Sequence, residues 1–154
     1  MNDTFVVLNN ALLLMCTSMY FGTGWSLVLF SFPGASSLTV DNYYPQFVPQ
    51  VKAATRFFTY MTMVMIATSI VMLVAEWGEP LMWVPIVVLV GVLTATGLTM
   101  KFIVPYNKVM ADGIKDPVVL KDTLNRWMRL NLIRVSLWTV QWLAMAAWFV
   151  IEVL

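Results

Sequence analysis

Trp127, Asn131, Arg134, Trp138 and Gln141 follow one another at steps of four, three, four and three in the last apolar stretch of the chain. That spacing sets them on one face of an α-helix. An arginine carried into an apolar segment can stabilise developing negative charge, and an asparagine beside it can donate or accept a hydrogen bond. The same end of the chain supplies Lys101, Asn107 within "VPYNK", and Arg56. Arg134, Asn131, Asn107, Lys101, Trp127 and Arg56 therefore form the candidate polar cluster, either a ligand site or a structural one. Its chemistry would be stabilisation of an enolate or phenolate by Arg134 or Lys101, not nucleophilic attack. No catalytic residue is assigned. No carboxylate lies at that depth in any apolar run. Arg134 must then meet neutral acceptors, an acidic loop residue (Asp112, Asp116 or Asp122) or an anionic ligand. The plainest reading is that Asn131 and Arg134 staple the fourth helix to the segment after the third.

Composition limits what else is available. The chain of 154 residues contains no histidine and a single cysteine, Cys16. An imidazole base, an internal disulfide and a cysteine-cluster zinc site are excluded, and no metal or cofactor is expected. Met15, Cys16 and Met19 lie about one turn apart, and Met61 and Met65 are an i, i+4 pair. Soft sulfur ligands of this kind select Cu(I), although "MTMVM" reads equally as core filling.

The elements that position the cluster follow from hydropathy. Sixty per cent of residues are hydrophobic and 11% charged, with mean hydropathy +0.81. That much apolar surface in one small domain requires lipid as solvent. Four apolar runs, at about 5–32, 53–75, 81–105 and 124–154, are each long enough to cross a hydrocarbon core of ~30 Å as helices. They lack the period-two alternation of membrane strands. The expected fold is all-α, an integral membrane four-helix bundle forming a single domain, 1–154. "EWGEP" predicts a tight hairpin between spans two and three. In "YYPQFVPQVKAATRFF", Pro49 is expected to end an interfacial segment before helix two. "MNDTFVVLNN" lacks a basic region and cleavage site, so it is expected to stay in the mature chain.

The charges partition by end. All nine Lys and Arg, with four Asp, fall at one end, which carries a net +5; the other end, with Asp3, Glu76, Glu79 and Glu152, carries −4. By the positive-inside rule both termini lie outside the cytoplasm, in a multi-pass protein of the plasma (inner) membrane. Trp77, Trp83 and Trp148 are expected to mark the outer interface, and Trp25, Tyr43, Tyr44, Tyr106 and Trp127 the inner one. The basic residues are explained by topology, so no nucleic-acid partner is expected. Gly91 and Ala95 form a small-xxx-small pair suited to close helix contact. Gly22 and Gly24 suit close approach or a bend near the end of helix one.

"VPYN" after the third span and "WMRLNLIR" at the start of the fourth resemble the DUF1772 family of small four-span membrane proteins, which includes anthrone oxygenases. The resemblance implies a four-helix bundle and, in the oxygenases, oxidation of a polycyclic aromatic without metal or flavin. Histidine often stands at or near the position of Asn131 in that family, and this chain has none. Two functions follow as expectations. One is a non-catalytic accessory subunit with protein partners in the membrane, packing against a larger complex. The other is a cofactor-free oxygenase-like enzyme, or a carrier, binding a hydrophobic aromatic or quinone-like molecule near Arg134, Asn131 and Lys101.

Overall fold

The computed structural model describes residues 3–153. The side chains of Asp3 and Val153 and the last residue of the expected fourth span, Leu154, lie outside the described residues. All regular structure among the described residues is helical. Four helices, Thr4–Ala35, Tyr43–Ala75, Trp83–Asp112 and Pro117–Glu152, are long and apolar enough to cross a membrane. The first comprises α1 (Asp3–Ser26), a π-helical turn (Leu27–Ser31) and α2 (Phe32–Ala35). The second is α3 (Tyr43–Ala75). The third comprises α4 (Trp83–Leu98), a π-helical turn (Thr99–Ile103) and α5 (Val104–Asp112), and the fourth is α6 (Pro117–Val153).

Packing runs in a ring, α1 against α3, α3 against α4, α4 against α6 and α6 back against α1. Leu13, Met65, Val88, Val135 and Met145 are among the buried side chains of the membrane-level core. Leucines, valines and isoleucines on the opposite faces, such as Leu8, Val90, Ile133 and Leu143, stay exposed. Such faces suit hydrocarbon. Two glycines let the helices close. A Cβ at Gly24 would sit 2.8 Å from a ring carbon of Trp138, and one at Gly91 would sit 2.7 Å from Cγ of Gln141. Gly22 has open space around it, so close approach belongs to Gly24 alone of that pair.

The helices are longer than a bilayer core requires. α6 has 37 residues, which is about 55 Å of helix against a core of ~30 Å. α3 has 33. Their surplus gathers at the basic end, where a second core forms around Tyr43, Val48, Ile103, Met110, Leu120, Leu124 and Trp127. The bundle therefore has two tiers, one at membrane level and one at its basic end.

This lower tier corrects the expected boundaries. α3 runs unbroken through Pro49, so no separate interfacial segment precedes helix two. Proline removes the N–H that would reach the carbonyl four residues back, here that of Pro45. Both prolines are exposed, so water can serve that carbonyl. The third helix likewise continues past Pro105, and the fourth begins at Pro117 instead of near Leu124. Asp116 caps that start by accepting the Val118 N–H at 2.8 Å, with Pro117 in the first helical position where no donor is needed. The "EWGEP" turn is tight as expected, with Gly78 at φ +85, a conformation that glycine adopts without penalty.

Candidate functional site

Four of the six candidate side chains join in one chain of hydrogen bonds. Trp127 Nε1 donates to Asn107 Oδ1 at 2.8 Å, tying α6 to α5. One turn on, Asn131 Nδ2 donates to the Trp127 carbonyl at 2.8 Å, while its Oδ1 accepts from Arg134 Nη2 at 2.5 Å. Arg134 Nη1 reaches Thr99 Oγ1, in the π-helical turn, at 3.4 Å. The guanidinium carbon lies 4.6 Å from the Trp138 ring centroid, over its face. Asn131 is fully buried.

Of the partners open to Arg134, the neutral ones are those it meets. Asp122 pairs instead with Arg126 at 2.9 Å on the exposed side of α6, an arrangement worth little. Asp116 is engaged at the helix cap. The aromatic face and two neutral oxygens leave one buried guanidinium nitrogen, Nε, without a partner. Beyond Trp138 the aromatic contacts continue. Tyr20 lies 4.7 Å from that ring and 4.8 Å from Phe58, and its hydroxyl meets the Phe58 carbonyl and Thr62 Oγ1.

Lys101 and Arg56 do not join. Both are exposed. Lys101 lies in the π-helical turn with its ammonium 5.3 Å from the Phe102 ring centroid. Arg56 precedes the inward-facing Phe58 by two residues, which turns it to the far side of α3.

Trp127 is a hub and not an interfacial anchor. Its ring is buried, with Phe47 at 4.8 Å and Phe32 at 6.0 Å in edge-to-face contact. Tyr43 is also inside, at 1% exposure. Its hydroxyl accepts the Ile114 N–H at 2.5 Å and donates to the Met110 carbonyl at 3.2 Å, clamping the end of α5 onto α3. Trp25 donates to Thr139 Oγ1 at 3.0 Å. Tyr44, Trp77 and Trp83 are exposed as belt residues should be.

Trp148 is the third belt residue that turns inward. At 7% exposure it donates its indole N–H to Glu76 Oε1 at 2.9 Å, across α6 and the end of α3. By sequence Glu76 belongs to the tight turn between spans two and three. The signal for its pairing with Trp148 was the level match of positions 76 and 148, which needs the tertiary fold. Burial raises the Glu76 carboxyl above the ordinary glutamate range; the Trp148 N–H pulls it back, and Glu152 and Glu79 add to the rise. A carboxyl raised in the folded state stabilises most when protonated. Its contribution falls as pH climbs from the ordinary value through the folded one. Glu76→Gln retains an acceptor for Trp148 and removes the titration. Thermal melting between about pH 4 and pH 8 should decline toward neutral pH in the wild type and be flatter, and higher at the neutral end, in the variant. Identical slopes would remove Glu76 as the cause.

Two turns inward of that pair, about 10 Å along each helix, Ser69 and Gln141 occupy the same faces as Glu76 and Trp148. Asn9 donates to the Thr68 carbonyl at 3.0 Å and to Asn10 Oδ1 at 3.1 Å, which sets Asn10 at the same level. Asn10, Ser69 and Gln141 are buried and form a polar layer in the membrane tier. The sulfur residues do not converge as their spacing suggested. Met15 and Met19 are exposed, whereas Cys16 is in the core with Met61 and Met65. Among the described residues no group of three His, Cys, Asp or Glu is placed to hold a metal.

No protein-family model, no curated protein and no solved structure matches this chain.

Proposed function

We propose that the protein is a non-catalytic accessory subunit, a small four-span chain that packs through its apolar flanks against a larger membrane complex. In this reading the basic tier faces the cytoplasm and both termini lie outside, in the plasma (inner) membrane. The observation that carries it is the chain of hydrogen bonds from Arg134 through Asn131 and Trp127 to Asn107, which ties α6 to α5. Groups bound to one another in this way hold helices together; a reactive site needs groups facing a space. Neither Arg134 nor Asn131 lines the cleft between α3 and α5 or the one beside Glu76 and Trp148.

A second reading is favoured by the unpartnered Nε of Arg134 beside the Trp138 face. It is a cofactor-free oxygenase-like enzyme or carrier for a hydrophobic aromatic or quinone-like molecule, in keeping with the resemblance to the DUF1772 family. Native mass spectrometry of the protein gently extracted from its own membrane separates the two. A stoichiometric complex with other polypeptides, lost when Val140 and Leu143 on the exposed face of α6 become Trp, is the result expected of an accessory subunit. A lone protein carrying an aromatic adduct, lost with Arg134→Gln, would instead establish the second reading. Bare protein would sink both.

A further inference from the structure

The lower tier contains a cleft that neither reading uses. It lies between α3 and α5, and its walls include Val48, Val51 and Lys52 on one side and Val104, Asn107 and Lys108 on the other. Its volume is about 250 Å³, below the ~300–1,000 Å³ that encloses a whole drug-sized ligand. A pocket of that size takes one segment of a longer molecule and leaves the rest outside.

The walls are fixed in place. The Tyr43 hydroxyl clamps the end of α5 to α3, and Trp127 holds the Asn107 amide oxygen at 2.8 Å. The lining is mostly apolar, with one lysine on each wall and no carboxylate. Lys52 and Lys108 are exposed, so their ammonium groups can reach a charge at the mouth. Apolar floor and paired cations together select an anion attached to a hydrocarbon chain. The cleft sits in the basic tier, where four membrane-crossing helices emerge from the hydrocarbon core. An anionic headgroup in that leaflet lies at the level of the lysines while its acyl chain runs toward the membrane tier.

We infer that the cleft between α3 and α5 is a binding site for an anionic phospholipid of the surrounding bilayer. An acyl segment lies along Val51, Thr55 and Val104, toward the membrane tier, and the phosphate is held by Lys52 and Lys108. The amide of Asn107 adds a hydrogen-bonding group beside the phosphate. Such a lipid would bridge α3 and α5 and belong to the protein more tightly than the lipid that merely surrounds it.

The test reconstitutes the full chain in vesicles of equal phosphatidylglycerol and phosphatidylcholine, extracts it gently and counts retained lipids by native mass spectrometry. One phosphatidylglycerol should be retained in preference to phosphatidylcholine. In Lys52→Gln/Lys108→Gln that preference should fall about tenfold, from the loss of two cations near the membrane surface. Lys115→Gln/Lys121→Gln removes the same charge from exposed positions outside the cleft and should retain the lipid as the wild type does. Equal losses in the two double variants would reduce the effect to net charge and overturn the site. Equal retention of the two lipids in the wild type, or retention of inorganic phosphate in place of lipid, would overturn it as well.

Discussion

Asn131→Leu should destabilise the protein by about 2 kcal/mol, because it takes an acceptor from a half-buried cation. Leucine has the branched outline of asparagine and a higher helix propensity, so a loss of stability reports the missing polar group. Arg134 would keep Thr99 at 3.4 Å and the face of Trp138. The first is a long hydrogen bond and the second contributes roughly 0.5–2 kcal/mol, so neither replaces the acceptor it loses. Ordinary side-chain hydrogen bonds between membrane helices average only about 0.6 kcal/mol, and a neutral polar pair at this place would fall in that range. The larger figure rests on the charge. It follows that Asn131→Leu/Arg134→Met should be less damaged than Asn131→Leu alone, losing about 1 kcal/mol, since replacing both members of a buried polar pair by apolar groups is nearly neutral. Equilibrium unfolding in one detergent measures all three proteins. A double variant no more stable than the single would mean that Arg134 had already turned out to the interface.

Trp127→Ala should be costlier still, about 4 kcal/mol, in the range for large aromatic truncations in a packed core. The ring joins Phe32 of α2 and Phe47 of α3, and its N–H holds Asn107 of α5. Removing it therefore loosens α2, α3 and α5 from α6 together, with Leu120 and Leu124 left as contacts. Trp127→Phe separates the contributions. It retains most of the ring contact, loses the hydrogen bond and should cost about 1 kcal/mol. Hydrogen exchange locates the damage. In Trp127→Ala the amides of 43–51 and 104–112 should exchange faster, while those of 61–72, in the membrane tier, should be little changed. Uniform acceleration along the chain would show that the two tiers are one cooperative unit and that the lower core is not separable.

The four spans and the pairing of Asn131 with Arg134 were legible because they depend on hydropathy and on spacing within one helix. Trp127 belonged to the cluster by helical phase and Asn107 by depth, and the fold brings them into contact. The lower tier was not legible. Pro49 and Pro105 read as helix stops, yet each falls where an exposed carbonyl or a widened turn absorbs the missing donor. A helical pattern was present all the same, with Leu120, Leu124 and Trp127 at steps of four and three facing the lower core. Lys101 and Arg56 were assigned by depth alone, and depth does not fix which way a side chain turns. The bond between Trp148 and Glu76 joins positions far apart in sequence. No local rule ties a tryptophan near one interface to a particular carboxyl in a distant turn.

The π-helical turn at Thr99–Ile103 holds one residue more than an α-helical turn would need. Each residue of α-helix advances the azimuth by about 100°. Deleting a single residue there would restore an unbroken α-helix and rotate α5 by that angle about its own axis. Asn107 would swing away from Trp127, Lys108 would leave the wall opposite Lys52, and Met110 would turn from its place against Tyr43. The turn thus acts as the phase setting of the third helix. It is a one-residue insertion on which the orientation of everything downstream in the lower tier depends, although none of its own side chains lines the cleft.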